Sequence, residues 1–324
     1  GQQMTTALVQ PLVTVTCSFA VAFPSFAVEP EFSAQEGSSG AQAAPANDDG
    51  TVYYQIYVRA FYDSNGDGLG DLQGVIQKLD YLKGLGVRGI WLMPLFRAPT
   101  DHKYFSSDYF MVDPEYGTND DLRQLVQAAH DRGIRVIIDF MVNHTSVKHT
   151  WFHGSTRAFV QQEAGREPCR APKYLDYYHW AKGGDIRTKT PETHDLNGKL
   201  DESRLSNWKQ AKSITGEPVG KYYSRFVDAP DLNYENPEVR EEIKRVGKFW
   251  LVDIGVDGFR LDAARHIFDY ENAKVQEPRD RNCQWWTEFC SEMKAAKPDC
   301  LLIGEIWSSS AVMASYLQTG MDSV

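Results

Sequence analysis

Basic residues are missing from the start of this chain and outnumbered along the rest of it. No lysine or arginine precedes Arg59, and over 324 residues 34 Lys and Arg face 44 Asp and Glu, a formal net charge of −10. That balance excludes the basic face that a nucleic acid or an anionic membrane surface would need. A neutral polymer is indifferent to such a field. Long apolar runs are scarce as well. Ala7 to Phe23 is apolar, but it is short and broken by Pro11, which argues against a membrane anchor. Followed by Ser25-Phe26-Ala27, it looks like the hydrophobic part and cleavage site of a secretory signal, without the positive start such signals carry. Residues 1–27 are therefore expected to direct export to the outside or the periplasm and to be removed. Cysteine is sparse too: of five, Cys17 would leave with that segment, and Cys169, Cys283, Cys290 and Cys300 would remain. Cys283 and Cys290 lie two helical turns apart, about 10.5 Å, too far to bridge. The spacing leaves other pairings open, with free buried thiols the expectation.

Residues 28–50 are rich in Glu, Ser, Gly and Ala without periodicity and read as a flexible linker. From Thr51 onward, apolar β-rich runs at 51–61, 89–95, 134–142, 256–262 and 301–306 alternate with helical patterns. The helices carry Leu72, Val75, Ile76, Leu79 and Leu82, then Leu122, Leu125, Val126 and Ala129 behind an Asn119 cap. Another follows Asn236-Pro237 with Val239, Ile243, Val246 and Trp250, and a fourth spans about Cys283 to Ala296. A sixth strand is expected to begin at Met321. Strands alternating with helices predict an α/β fold built on a parallel sheet. Between the first strand and first helix, Asp63, Asn65, Asp67 and Asp71 place oxygen side chains at alternate positions around glycines. With the Leu69 carbonyl they have the spacing of a calcium loop, so Ca2+ is the expected cofactor.

The chemistry gathers at strand ends. In Gly258-Phe259-Arg260-Leu261-Asp262-Ala263-Ala264-Arg265-His266, alternation puts Arg260 and Asp262 on one side of a strand. A cation that close would hold the aspartate ionised, as a nucleophilic carboxylate requires. Asp139-Phe140-Met141-Val142-Asn143-His144 closes a second run, and Leu301-Leu302-Ile303-Gly304-Glu305-Ile306-Trp307 holds a single carboxylate. In a (β/α)8 TIM barrel the C-terminal ends of the strands collect catalytic groups, so Asp262 and Glu305 would face one cleft. Two such carboxylates are the working parts of glycoside hydrolysis.

These three stretches, in this order and spacing, resemble three of the four catalytic-region motifs of the α-amylase family of glycoside hydrolases, and the likeness runs from about Thr51 to Val324. The resemblance implies an incomplete (β/α)8 barrel, about five of its eight strands. It also implies a small inserted domain at 145–230 between barrel parts 51–144 and 231–324. It makes Asp262 the nucleophile and Glu305 the acid/base, with Arg260 holding Asp262 ionised and His144 on the sugar ring. Arg265 and His266 would face the leaving group. His102-Lys103-Tyr104 resembles the family's H-G-Y segment, whose histidine and tyrosine contact the sugar; Lys103 departs from the glycine. Phe105 stands where exo-acting α-glucosidases of the family carry an aspartate, which favours attack inside a polymer. Asp231, Asn143 and the His266 carbonyl would bind a second calcium. The implied substrate is starch or malto-oligosaccharide, which the 12% aromatic content suits, and the full-length protein is expected to be a monomer. Transglycosylation, isomerisation as in trehalose-forming relatives, an α-glucosidase activity and a sugar-binding barrel that does not cut are the alternatives. Loss of the catalytic acids would mark the last, and both are here. The fourth motif, with its histidine and third carboxylate, is not found, so this chain alone is expected to be inactive.

Overall fold

The computed structural model describes residues 20–21, 51–165, 172–181, 207–212, 216–226, 228–268 and 276–324. The signal-like segment apart from Ala20–Val21, the linker, Cys17 and Cys169 lie outside the described residues. Five parallel strands form the central sheet: β2 (Tyr53–Ile56), β3 (Gly89–Leu92), β6 (Arg135–Met141), β9 (Gly258–Asp262) and β10 (Leu301–Gly304). They lie side by side in sequence order, and the dipeptide β1 (Ala20–Val21) pairs antiparallel along the outer edge of β2. Such an order is that of a barrel wall, and closure is not seen among the described residues. Ser323 pairs with Ile303 in parallel, where a sixth strand is expected to begin.

Helices cross from each strand to the next. β2 leads to α1 (Leu72–Gln77) and α2 (Leu79–Gly84), and β3 leads through the hairpin of β4 (Phe96–Arg97) and β5 (Asp108–Val112) to α3 (Asn119–His130). β6 is followed by α4 (Thr150–Glu163) and the hairpin of β7 (Trp208–Lys212) and β8 (Pro218–Tyr223). α5 (Pro237–Lys248) then leads into β9, α6 (Gln276–Ala296) joins β9 to β10, and α7 (Ser310–Leu317) follows. Parallel strands covered on both faces read as nearly continuous apolar runs. β6 is buried at every position after Arg135. Phe140 stacks on Phe259 of the next strand, centroids 4.5 Å apart, and on Phe289 of α6 at 5.9 Å. Each such side chain, fully buried, contributes about 1.5–3 kcal/mol. Gly258 is required where β9 meets β10: its φ is +154°, and a Cβ there would lie 2.0 Å from the Leu301 carbonyl oxygen.

Several local expectations are corrected. Thr118, not Asn119, caps α3, with a reciprocal capping box to Asp121; Asn119 instead ties Phe110 O and Val112 N of β5. The helix after the acidic loop breaks at Lys78 into two short ones. The strand expected at 51–61 stops at Ile56 and turns into a tight 3-10 segment, Val58–Ala60. Beyond α5 the chain widens into a π turn, Phe249–Ile254, ended by left-handed Gly255. Within 145–230, α4 is a regular 14-residue helix. Its glycine, threonines and aromatics are weak helix formers, so its stability comes from packing: Phe159 stacks on Trp180, and a Cβ on Gly154 would lie 2.6 Å from the Tyr174 ring. Cys283, Cys290 and Cys300 are free thiols.

Candidate active site

β9 ends with Arg260 and Asp262 on one side of the sheet, as alternation requires. Arg260 is a hub. One terminal nitrogen, Nη1, donates to Asp262 Oδ1 at 2.6 Å and to Asp139 Oδ1 at 2.8 Å, and Nη2 lies 2.6 Å from Glu305 Oε1. Asp139 is the register partner of Arg260 on β6 and is wholly buried. Its other oxygen accepts from the Trp91 indole and the Tyr104 hydroxyl, each at 3.3 Å. Glu305 follows β10 and accepts from Ala263 N at 2.9 Å and from the Trp307 indole at 2.9 Å. Ala263, directly after Asp262, is held in the left-handed region at φ +48°.

Three carboxylates around one guanidinium set the proton inventory. Burial and the repulsion of Asp139 and Glu305 outweigh Arg260 and push the Asp262 carboxyl up to about 7; burial likewise raises Asp139, to about 6. Arg260 lowers the Asp262 pKa, in the direction expected, but shared three ways it does not offset burial and the repulsion of Asp139 and Glu305. Glu305 is half-buried, yet the Ala263 amide, Trp307, Arg260 and a hydrogen bond with Asp262 hold it below the usual range. A proton is therefore held more readily on the Asp262 side of the cluster than on Glu305.

Around this cluster stand rings. His144 is buried, its Nε2 has no hydrogen-bond partner, and burial lowers its pKa to about 4. The Phe105 and Phe226 rings lie 5.5 and 5.3 Å from it. His102 Nδ1 accepts from Tyr104 N at 3.1 Å, and the two rings sit 5.7 Å apart. Arg265 donates to the Trp307 carbonyl at 2.8 Å, on the Glu305 side.

Residues 55–324 match the family model described as alpha amylase, catalytic domain. The chain is 41% identical over 266 residues to Alpha-amylase 3 of Dictyoglomus thermophilum, covering 82% of this chain and 45% of that protein. Its identity to the trehalose synthase/amylase TreS of Mycolicibacterium smegmatis is 43% over 229 residues, covering 69% and 35%. Its fold superimposes on the crystal structure of the alpha-amylase from H. orenii with TM-score 0.64 and 43% identity, covering 83% of this chain and 50% of that one. The chain belongs to the α-amylase family of glycoside hydrolases. It spans from about a third to half the length of these relatives.

For an α-amylase family chain, the sequence-derived candidates fall into three groups. Asp262, Glu305 and Arg260 form the cluster; Tyr104 reaches it through Asp139, with His102 beside Tyr104 and His144 across Phe105. A second group lies behind it. Asn143 Nδ2 donates to the His266 carbonyl at 2.5 Å, and Asp231, bridged to His144 by backbone pairing, is buried with Oδ1 accepting from Arg225 N at 3.0 Å. Burial raises the Asp231 carboxyl to about 7 despite Arg225, so its charge lacks compensation and the set suits a hard cation. Burial, with Arg225 and Arg265, lowers His266 to about 4. The third group, the Asp63–Asp71 loop, bonds to itself and to α1. Asp63 accepts from Asn65, Gly66 and Gly68 amides, Asn65 from Asp67, and Asp67 from Leu69, while Asp71 caps α1 through Gly74 N. Three acidic side chains are not gathered there as metal ligands among the described residues. Gly66 and Gly68 within the loop are left-handed.

Two participants escaped the sequence reading. Asp139 sits in a quoted motif, but only the β6–β9 register reveals that it faces Arg260. Trp91 is an unremarked strand residue whose ring lies under the Arg260 guanidinium, 5.4 Å away. The departure at Lys103 also has an explanation: φ is +60° there, which is why glycine suits the position.

Proposed function

We propose that the protein cleaves α-1,4-glucosidic bonds inside starch-like glucans with retention of configuration. The observation that carries this is one guanidinium bridging Asp262 and Glu305, each oxygen 2.6 Å from it. Carboxylates tied to neighbouring nitrogens of one group favour the roughly 5–5.5 Å spacing of retaining enzymes over the wider inverting one. In the complex with sugar, Asp262 would be ionised and Glu305 would carry a proton. Asp262 then attacks the anomeric carbon, the bond to the leaving oxygen breaks, and that oxygen takes the Glu305 proton. In the second half Glu305 takes a proton from water, whose oxygen displaces Asp262. His144 Nε2, buried and unpartnered, donates to or accepts from a sugar hydroxyl. Phe105 leaves the non-reducing end ungripped, which supports endo action.

Calcium would be held by Asp231, Asn143 and the His266 carbonyl, and by Asp63, Asn65, Asp67, Asp71 and the Leu69 carbonyl, supplying structural cross-links. Export and a monomeric full-length state complete the proposal.

A second reading is transfer to a sugar acceptor. Trp307, 80% exposed and hydrogen-bonded to Glu305, offers such an acceptor an aromatic face, and the identity to a trehalose synthase/amylase agrees with it. Digestion of amylose by the full-length protein separates the readings. Early mixed oligosaccharides of α configuration support endo hydrolysis, glucose alone from the outset contradicts it, and trehalose or lengthened chains favour transfer. Asp262→Asn and Glu305→Gln should each abolish cleavage; wild-type turnover in either variant refutes the site.

A further inference from the structure

We propose that Lys103 is a positioning residue whose buried ammonium clamps the loop carrying His102 and Tyr104 against the β5–α3 turn, a role that rests on the glycosidase reading of the site. Lys103 is 3% exposed, with a left-handed backbone. Both features are unfavourable in isolation: a side chain with a Cβ resists that conformation, and a buried charge needs partners. The partners are there. Nζ lies 3.0 Å from Asp113 Oδ2 and 2.8 Å from Glu115 Oε2, with the Tyr116 ring 5.4 Å away.

Asp113 Oδ2 also accepts from Ala98 N at 2.9 Å, so one carboxylate oxygen fastens both ends of the segment from Ala98 to Lys103. Glu115 Oε2 is shared with Arg59 at 2.7 Å, and Arg59 lies 3.6 Å from Asp101. Tyr57 closes the ring by donating to the Asp101 carbonyl at 3.0 Å. The clamp therefore ties the loop to the end of β2 as well as to the turn after β5. On the far side of the left-handed residue, Tyr104 reaches Asp139, and the His102 ring lies tilted beside it. A glycine would adopt the same backbone without strain, but it would remove the buried anchor that Lys103 sets beneath the sugar-facing rings.

The test compares wild type with Lys103→Met and Lys103→Gly in the full-length protein, the second relieving the backbone strain should the first fail to fold. Amide hydrogen exchange at residues 98–107 should rise at least tenfold, far more than in the central strands, even where loss of the buried pair lowers Tm. On maltoheptaose, kcat/KM should fall at least tenfold, mostly through KM, and Lys103→Arg should recover part of it. Adding Tyr104→Phe to Lys103→Met should cost less than the two single losses combined, since the lysine acts through that ring. Unchanged exchange at 98–107 would overturn the proposal, as would additive losses. So would exchange rising by the same factor everywhere, the mark of a purely structural role. If wild type cleaves no α-glucan, the glycosidase reading fails, and the exchange at 98–107 alone decides whether Lys103 clamps the loop.

Discussion

Asp139 shows what one residue contributes that a linear pattern hides. Arg260 and Asp262 are two positions apart on one strand, and period-two alternation alone brings them together. Asp139 is 121 positions from Arg260, and only strand register joins them. It does more than accept a hydrogen bond. Its charge is the second cause, after burial, of the raised Asp262 pKa. Asp139→Asn removes that repulsion and frees Arg260 for Asp262, and both effects lower the Asp262 pKa. If an ionised Asp262 is needed for attack, the acid limb of kcat/KM lies near pH 7 in wild type and moves to lower pH in the variant. A limb that stays put or moves upward would show that Asp139 does not set the nucleophile's ionisation. The sequence revealed the pair that local geometry fixes; the shared arginine and the resulting proton inventory depended on contacts between strands.

At the scale of elements, helices with strong periodicity and caps were legible, and those stabilised by packing were not. α5 follows its Asn236-Pro237 start because cap and first-turn proline act locally. α4 is capped by His149, whose Nδ1 accepts from Trp151 N, a cap with no common sequence signature. The junction of β9, β6 and α3 is likewise a tertiary feature. Asp257, immediately before β9, accepts from Val136 N at 2.8 Å and pairs with His130 at 2.7 Å and Lys297 at 2.9 Å. These sit at the N-terminal end of the strands, away from the carboxylate cluster, where the expected role is stability. Burial alone would raise the Asp257 pKa, but the Val136 amide, His130 and Lys297 prevail and lower it. Its stabilisation is therefore complete above the unfolded carboxyl value near 4 and is lost as pH falls through the lower folded value. Asp257→Asn should cost roughly 2–4 kcal/mol at neutral pH, from weakened charged hydrogen bonds around a buried group. Urea unfolding would measure this, and the gap to wild type should close as pH drops below 4. A loss under 0.5 kcal/mol, or a gap independent of pH, would contradict that role.

Over the whole molecule, the order of strands was readable because each parallel strand is a short apolar run ending in polar residues, and successive strands lie next to one another. The C-terminal ends of β6, β9 and β10 therefore converge without any long-range rearrangement. Less legible was how the segment after β6 is fastened. Leu232 N donates to Asn143 O and Thr145 N to Pro230 O, lacing both ends of the segment to the barrel beside buried Asp231. A calcium ion there would stabilise the folded state by mass action, by about 2.7 kcal/mol at a hundredfold excess over its Kd. EDTA should then lower Tm and excess Ca2+ restore it; an unchanged Tm with no calcium by elemental analysis would remove the ion from the account. The central claim, that Asp262 attacks the sugar while Glu305 handles the proton, has a more direct test. Full-length protein bearing Glu305→Gln, incubated with 5-fluoro-α-glucosyl fluoride and digested for peptide mass mapping, should carry one added fluorohexosyl group on the Asp262 side chain. A label on any other residue, or none while the sugar is consumed with inversion, would contradict it.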